Sequence, residues 1–333
     1  FKIIIMNILI TGAGGFVGRN IIEYLLLNDK SENLKITGTL NSNELSSNGR
    51  LEKYNSKVNF VHCDLTLKSQ IDKLFKTKFD MLIHCAAVST GANDIINRPY
   101  LHVTDNAVMG SMIFRKSFEE KVKRVIFISC SAIYRSSDNL LKEEDQNAYE
   151  INPRYFGGGW TKVFLEKQCE FYSKLGESEF IVIRHSNMYG PNDDFNDDRS
   201  HMVAANLKRV FLADEKKPIY VWGTGKTVRD LLYIDDLSSF INLLLKAKLK
   251  HKYNIFNLGA EKGISVKDVV KTIIDVSKKN VVMKFDKAKP DIDVNIFLDC
   301  SKAKRLGWEQ KYSFEEGIKK TFEWINNNSE KLQ

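Results

Sequence analysis

Thr11-Gly12-Ala13-Gly14-Gly15-Phe16-Val17-Gly18 follows the apolar run Ile3-Ile4-Ile5-Met6-Asn7-Ile8-Leu9-Ile10 and leads into Arg19-Asn20-Ile21-Ile22-Glu23-Tyr24-Leu25-Leu26. The pattern predicts a buried strand, a glycine turn and an amphipathic helix. Gly12 permits the sharp turn. Gly15, lacking a Cβ, lets a pyrophosphate approach the backbone, and Gly18 lets the helix press on the strand. Free N–H groups at the helix start, around Phe16 and Val17, then face the phosphates. The strand before and the helix after make the triplet a dinucleotide-binding fingerprint rather than an ordinary tight turn.

Outward from that turn, strand and helix signals alternate. Strands are predicted at 5–10, 34–40, 58–62, 80–84, 124–129 and 179–184, and helices at 16–28, 67–75, 101–121 and 160–175. Such alternation implies right-handed crossovers and a parallel sheet covered on both faces. Runs such as Val125-Ile126-Phe127-Ile128-Ser129 have the apolar character that two-face burial requires. Beyond about residue 186 the loops lengthen and the alternation weakens. The fold class is therefore α/β: a doubly wound parallel Rossmann sheet over residues 1–185, and a smaller C-terminal substrate-binding lobe over 186–333 with segments returning to the sheet. Residues just after each strand carry the ligands in such a fold.

The chain has 333 residues, 43% of them hydrophobic, which fits a globular protein with a substantial core. No apolar run approaches the roughly 18 residues of a membrane span. No signal peptide is evident, so a cytoplasmic location is expected. Met6 opens the first strand, and whether residues 1 to 5 precede the natural start stays open. The five cysteines, Cys63, Cys85, Cys130, Cys169 and Cys300, show no metal or redox spacing and read as reduced thiols. The formal net charge is +8, but lysines alternate with acids and no aromatic-studded basic stripe appears. That argues against nucleic acid and leaves an anionic small molecule as the partner.

Further motifs accompany the glycine turn: Cys63-Asp64-Leu65 after the third strand, His84-Cys85-Ala86-Ala87 after the fourth, and Asn106 in the next helix. Ser129-Cys130-Ser131-Ala132-Ile133-Tyr134 follows the fifth strand, with Lys162 on the helix after it. Later come Arg184-His185-Ser186-Asn187-Met188-Tyr189-Gly190-Pro191, Trp222-Gly223-Thr224-Gly225, Arg229-Asp230, and Asp299 to Trp308. Together, across nearly the whole chain, these resemble the extended short-chain dehydrogenase/reductases that modify nucleotide sugars. The stretch Asn187 to Phe195, with Ser200-His201, is most similar to GDP-fucose synthase and its relatives. The resemblance implies an NAD(P)-dependent epimerase or reductase of polysaccharide biosynthesis acting on a nucleotide-diphosphate sugar. It also implies a homodimer paired through helices 101–121 and 160–175.

In that family a tyrosine moves the proton of the sugar hydroxyl. A lysine four residues later lowers the tyrosine pKa and holds the ribose, and a serine or threonine after the fifth strand bonds the same oxygen. Lys162 and Glu166 fit the pattern. Gly158 stands where the tyrosine belongs, and Cys130, flanked by Ser129 and Ser131, where the serine or threonine belongs. Three readings stay open. Tyr155 takes over, brought nearer Lys162 by a bend at Gly157-Gly158-Gly159. Or the proton travels through water, Ser131 or Cys130, the last activated by the Lys162 charge. Or redox chemistry is lost or attenuated and the chain binds its ligands silently. Asn192 replaces the branch's histidine acid and Ala132 the cysteine of its reductive epimerases, which sets this chain apart from GDP-fucose synthase itself. Ser131-Ala132 in place of Asp-Glu disfavours a 4,6-dehydratase.

For the cofactor, the resemblance implies Gly12, Gly15, Phe16, Val17, Gly18, Asp64, Leu65, Ala86, Ala87, Asn106 and Lys162. Asp64 has a second reading as the N-cap of helix 67–75. The second strand ends Thr37-Gly38-Thr39-Leu40-Asn41-Ser42, with no acid before Glu44 and no arginine closer than Arg50. NAD binders place an acid there, so either NAD or NADP is expected, with a lean to NADP. For the substrate, the resemblance implies Asn187. Arg229 is the diphosphate ligand of choice because a guanidinium fork matches two phosphates. Arg209 joins it, and Trp222 stacks on the base or walls the pocket.

Overall fold

The computed structural model describes residues 5–28, 33–41, 54, 56–89, 92–196, 199–289 and 293–332. Glu44 and Arg50, which bear on the cofactor choice, lie outside the described residues, as do residues 1 to 4. In chain order the first half forms β1 (Met6–Thr11), α1 (Phe16–Asn28), β2 (Leu34–Leu40), β3 (Val58–His62), α2 (Lys68–Leu74), β4 (Met81–His84) and α3 (Ala92–Asn97). It continues with α4 (Thr104–Glu119), β5 (Arg124–Cys130), β6 (Leu140–Leu141), α5 (Phe156–Leu175) and β7 (Glu179–His185). The second half adds β8 (Asn187–Tyr189), α6 (Met202–Phe211), β9 (Ile219–Trp222), β10 (Val228–Tyr233), α7 (Ile234–Leu244) and β11 (Tyr253–Leu258). The chain ends with β12 (Gly263–Ser265), α8 (Val266–Ser277), β13 (Met283–Asp286), β14 (Phe297–Leu298), α9 (Ser301–Arg305) and α10 (Phe314–Asn326).

One seven-stranded sheet in the order β11-β7-β5-β4-β1-β2-β3 organises the molecule, and every pairing in it is parallel. Alternate residues feed opposite faces. Ile8, Ile10, Ile126, Ile128, Ile181 and Ile183 join one apolar cluster, and Leu9, Val125, Phe127, Phe180 and Val182 the other. That two-sided burial explains the unbroken apolar runs. The strand order reverses between β1 and β4, so the chain leaves β1 at the crevice where ligands bind in such sheets. β11 adds a strand to this sheet from the second half. β8, β10 and β12 make a separate three-stranded sheet, and β9 pairs with β13.

The helix expected at 101–121 begins later. Pro99–His102 forms a short 3-10 turn, with proline at its tolerated first position, and α4 starts at Thr104. The helix expected at 160–175 begins earlier, at Phe156, and runs without a break through the three glycines. The bend anticipated at Gly157-Gly158-Gly159 is absent. Two of these glycines serve close packing instead. A Cβ on Gly157 would lie 2.9 Å from Val103 Cγ2, and one on Gly159 would lie 2.9 Å from Ile151 Cγ2 and 3.0 Å from the Ala132 oxygen.

α5 is locked to the sheet by a buried ion pair. Glu166 receives Arg184 of β7 at 2.7 Å and the Ser129 hydroxyl at 2.6 Å. The same guanidinium donates to the Tyr134 hydroxyl at 2.8 Å, and Tyr134 donates to Asn257 Oδ1 at 2.8 Å. β5, α5, β7 and β11 are thereby held in one polar network inside the core, one helical turn beyond Lys162.

Candidate active site

The glycine turn closes on the loop after β4. Gly12 has φ +66°, a conformation that favours glycine, and a Cβ there would lie 2.8 Å from Ala86 Cα. A Cβ on Gly18 would strike the Gly12 carbonyl, so α1 presses on the turn itself rather than on the strand. A Cβ on Gly15 would meet nothing closer than 3.4 Å. Its face is open. The first turn of α1 contains no acid, and its N–H groups lack intrahelical partners as in any helix. This cradle fits the diphosphate bridge of a dinucleotide.

Thr11 fixes the neighbouring strand end. Its hydroxyl oxygen accepts the N–H groups of Cys85 and Ala86, both at 3.2 Å, and lies 2.8 Å from His84 Nδ1. Burial pushes His84 down to about 3, so the ring is neutral and Nδ1 accepts the Thr11 hydroxyl. Asn106 braces the next loop. Its oxygen accepts the Val88 N–H at 2.7 Å, and its amide donates to the Val88 and His102 carbonyls at 3.0 Å each.

A cavity of about 1210 Å³ opens from this turn and runs to β9 and β10. Among the residues singled out from the sequence, its walls bring together Gly12, Gly15, Phe16, Val17, Gly18, Ala87, Asn106, Cys130, Ser131, Tyr155, Lys162, Asn187, Arg209, Trp222 and Arg229. Asp64, Leu65 and Ala86 do not line it. Asp64 Oδ1 accepts both the N–H and the hydroxyl of Thr66, at 2.8 and 2.7 Å. Its side chain thus shapes the turn before α2, whose N-cap is Leu67. Leu65 is buried in the core.

The expected acid–base residues, Lys162, Cys130, Ser131 and Tyr155, all line this cavity. Lys162 Nζ donates to the Ile128 carbonyl at 2.9 Å and sits 4.7 Å from the Phe127 ring centre. Burial lowers its pKa, and the nearby Cys130 and Glu166 oppose that. Tyr155 is the N-cap of α5, seven residues before Lys162. Burial raises the Tyr155 pKa, and the Arg229 charge opposes that. Tyr155, Cys130, Arg229 and Lys162 all line this cavity, and Cys130 influences both Tyr155 and Lys162. No protein group hydrogen-bonds the Tyr155 hydroxyl among the described residues. Burial also raises the Cys130 pKa and outweighs Lys162, so this thiol is protonated and the activated thiolate is not formed. Gly158 opens on the cavity, where a Cβ would meet only His102 Cβ, at 3.6 Å.

At the far end, Arg209 Cζ and Lys289 Nζ each lie 5.5 Å from the Trp222 ring centre. Arg229 Nη1 donates to the Val228 and Val294 carbonyls at 2.8 and 3.1 Å, which orients the guanidinium on the cavity wall. Asn187 Nδ2 donates to the Asp230 carbonyl at 3.1 Å. Asp230 itself is buried and supports the backbone. Its carboxylate accepts the Ala260 N–H at 2.7 Å and the Leu298 N–H at 3.2 Å.

Sequence reasoning missed Asn20 and Asp193. Asn20 Nδ2 donates to the Phe16 carbonyl at 2.7 Å and the Pro191 carbonyl at 2.9 Å, stitching the glycine turn to the loop after β8. A short polar residue just before the apolar Ile21-Ile22 pair of α1 was the available signal. Asp193 lies buried in that loop, and burial pushes its carboxyl up to about 7.

Comparison with known proteins places this arrangement. GDP-L-colitose synthase of Yersinia pseudotuberculosis is 28% identical over 327 residues, covering 97% of this chain and 98% of its own. The crystal structure of UDP-glucose 4-epimerase with UDP-glucose from Thermotoga maritima superposes with a TM-score of 0.81 at 25% identity, covering 97% of this chain and all of that one. A GDP-6-OMe-4-keto-L-xylo-heptose reductase from C. jejuni shares the fold with a TM-score of 0.80 at 22% identity, covering 98% of this chain and 99% of its own. The profile of the NAD dependent epimerase/dehydratase family matches residues 8–259, from the first strand to the last strand of the central sheet, and the chain belongs to that family.

Proposed function

We propose that this chain is a nucleotide-sugar epimerase or reductase that holds NAD or NADP at the glycine turn and a nucleotide-diphosphate sugar beneath β9 and β10. The observation that carries the reading is the single cavity joining the two ends. At about 1210 Å³ it exceeds the usual few hundred to 1,000 Å³ of a one-ligand pocket. The nicotinamide, when bound, supplies hydride exchange at a sugar carbon. The backbone of Gly12 to Gly18 binds the dinucleotide bridge, and Ala87 and the Asn106-braced loop line its path. Lys162 brings a positive charge to the floor. Arg209 and Arg229 bind the sugar's diphosphate, Trp222 walls the base, and Asn187 bonds the diphosphate or sugar. The Tyr155 hydroxyl, facing the cavity beside Arg229, holds the proton exchanged at the sugar oxygen, and Ser131 and Cys130 border the same space.

The absence of an acid through Asn41 supports the lean to NADP. The division near residue 185 into a cofactor lobe and a substrate lobe belongs to the same proposal, as does a cytoplasmic location. No helix among the described residues is long and apolar enough to cross a membrane. A homodimer is also proposed. Phe156, Phe164, Phe171 and Leu175 are all exposed along one face of α5, an apolar stripe that a second copy would cover.

The second reading, a binding protein without turnover, is favoured by Gly158 at the family's tyrosine position. Incubation with NAD(P)(H) and GDP-, UDP-, CDP- and dTDP-sugars, followed by nicotinamide absorbance and product mass, separates the two. Turnover of one sugar supports the enzyme. Binding without any product supports the silent reading.

A further inference from the structure

After β8, residues 191–196 and 199–201 contain polar atoms without a partner among the described residues. Asn192 and Asp193 are 7% and 4% exposed, and both line the cavity. Asn192 Nδ2, Asp193 Oδ2 and Ser200 Oγ are buried, and none has a hydrogen-bond partner among the described residues. Asp193 Oδ1 accepts the Asp194 N–H at 2.8 Å. Leaving such groups unpaired costs about 1–3 kcal/mol each, so a loop that collects three of them against a ligand cavity is shaped for a partner. The loop is also held in place. Asn20 grips the Pro191 carbonyl from α1, and Asn192 adopts φ +65°.

We infer that Asn192, Asp193 and Ser200 form a recognition subsite for the sugar ring of the bound nucleotide sugar, hydrogen-bonding its hydroxyl or keto oxygens. The inference rests on the nucleotide-sugar reading above and adds the residues that distinguish the sugar from the nucleotide. Asp193 acts there as a neutral carboxyl. Its burial disfavours the charged form, and an uncharged group suits a position close to a diphosphate. Charge at this site would repel the ligand, whereas a carboxylic acid donates one hydrogen bond and accepts others.

The test is calorimetric titration of the full chain, its D193A and D193N variants, with GDP-mannose, UDP-glucose, GDP and UDP. The subsite predicts that D193A weakens the preferred sugar nucleotide about tenfold, the loss of one or two hydrogen bonds. The parent nucleoside diphosphate keeps its affinity, and D193N recovers most of the loss because an amide is neutral and both donates and accepts. D193A binding the sugar nucleotide as tightly as wild type overturns the subsite. So does an equal loss for sugar nucleotide and nucleoside diphosphate, or a D193N variant as weak as D193A. If D193A does not fold, S200A makes the same comparison. A wild-type chain that binds none of the four probes refutes the nucleotide-sugar reading itself and the subsite with it, a result distinct from unaltered binding in the variants.

Discussion

At the scale of single residues, chemistry and packing part company along one helix. Gly157, Gly158 and Gly159 look alike in the sequence, yet only Gly158 has room for a side chain. G158A should stabilise the protein by about 0.5–1 kcal/mol, the helix-propensity gain of alanine over glycine. G159A should destabilise it, because its Cβ would press on Ile151 and the Ala132 carbonyl. Denaturant midpoints of the two variants decide this. G158Y puts back the family's proton-transfer group four residues before Lys162. It should raise turnover sharply if Tyr155 is a weak substitute, and Y155F should then remove the residual activity of wild type. Identical turnover in wild type and Y155F would exclude Tyr155. Asp193 gives a pH signature at the same scale. Its folded pKa, about 7, stands above the usual carboxylate value near 3.9. The folded state therefore keeps a proton that the unfolded chain releases. Its stabilising contribution is complete below about pH 4 and is lost as pH rises through about 7. D193N should thus gain stability relative to wild type between pH 5 and pH 8, measured by urea unfolding at both. A constant difference contradicts the assigned protonation.

At the scale of elements, the strongest single tie is the Glu166–Arg184 pair between α5 and β7. Both side chains are nearly inaccessible, 4% and 3% exposed, and the guanidinium also serves Tyr134. E166A leaves a buried charge without its partner and should cost about 3–5 kcal/mol, seen in the unfolding free energy. The elements themselves were largely legible. Val125 to Ser129 lies inside the sheet and is buried, as an apolar β-branched run requires, whereas Val58-Asn59-Phe60-Val61-His62 forms the edge strand and stays partly exposed, against the two-face burial expected of it. Helix boundaries were less so. The start of α5 depended on Val103, Ile151 and Ala132 packing against glycines, contacts that join residues distant in the chain and leave no local mark. The same holds at the site. The glycine turn, Lys162, Trp222 and Arg229 announce themselves by motif. Asn20 matters through its bond to the distant Pro191 carbonyl and Asp193 through its burial, which only the folded chain shows. The bend expected near Tyr155 failed because glycine permits flexibility but does not impose it once neighbours fill the groove.

At the scale of the whole molecule, the topology places the glycine turn and the wall formed by β9 and β10 around one cavity, with Asn20 tying the turn to the loop after β8. The exposed aromatic face of α5 predicts a dimer in solution. Sedimentation should give a dimer for wild type and a monomer for the double variant F164E/F171E, and a monomeric wild type would remove the dimer from the account. The central claim is that backbone amides at residues 12 to 18 dock a nicotinamide dinucleotide. Gly15 offers the most direct test, since a Cβ there touches nothing closer than 3.4 Å yet occupies the face left for the diphosphate. Titration calorimetry should show NAD or NADP binding to wild type well below about 1 mM. G15A, with an unchanged melting temperature, should bind at least about tenfold more weakly, or roughly 1.4 kcal/mol. No heat from wild type at millimolar NAD and NADP, or equal binding by G15A, would contradict it.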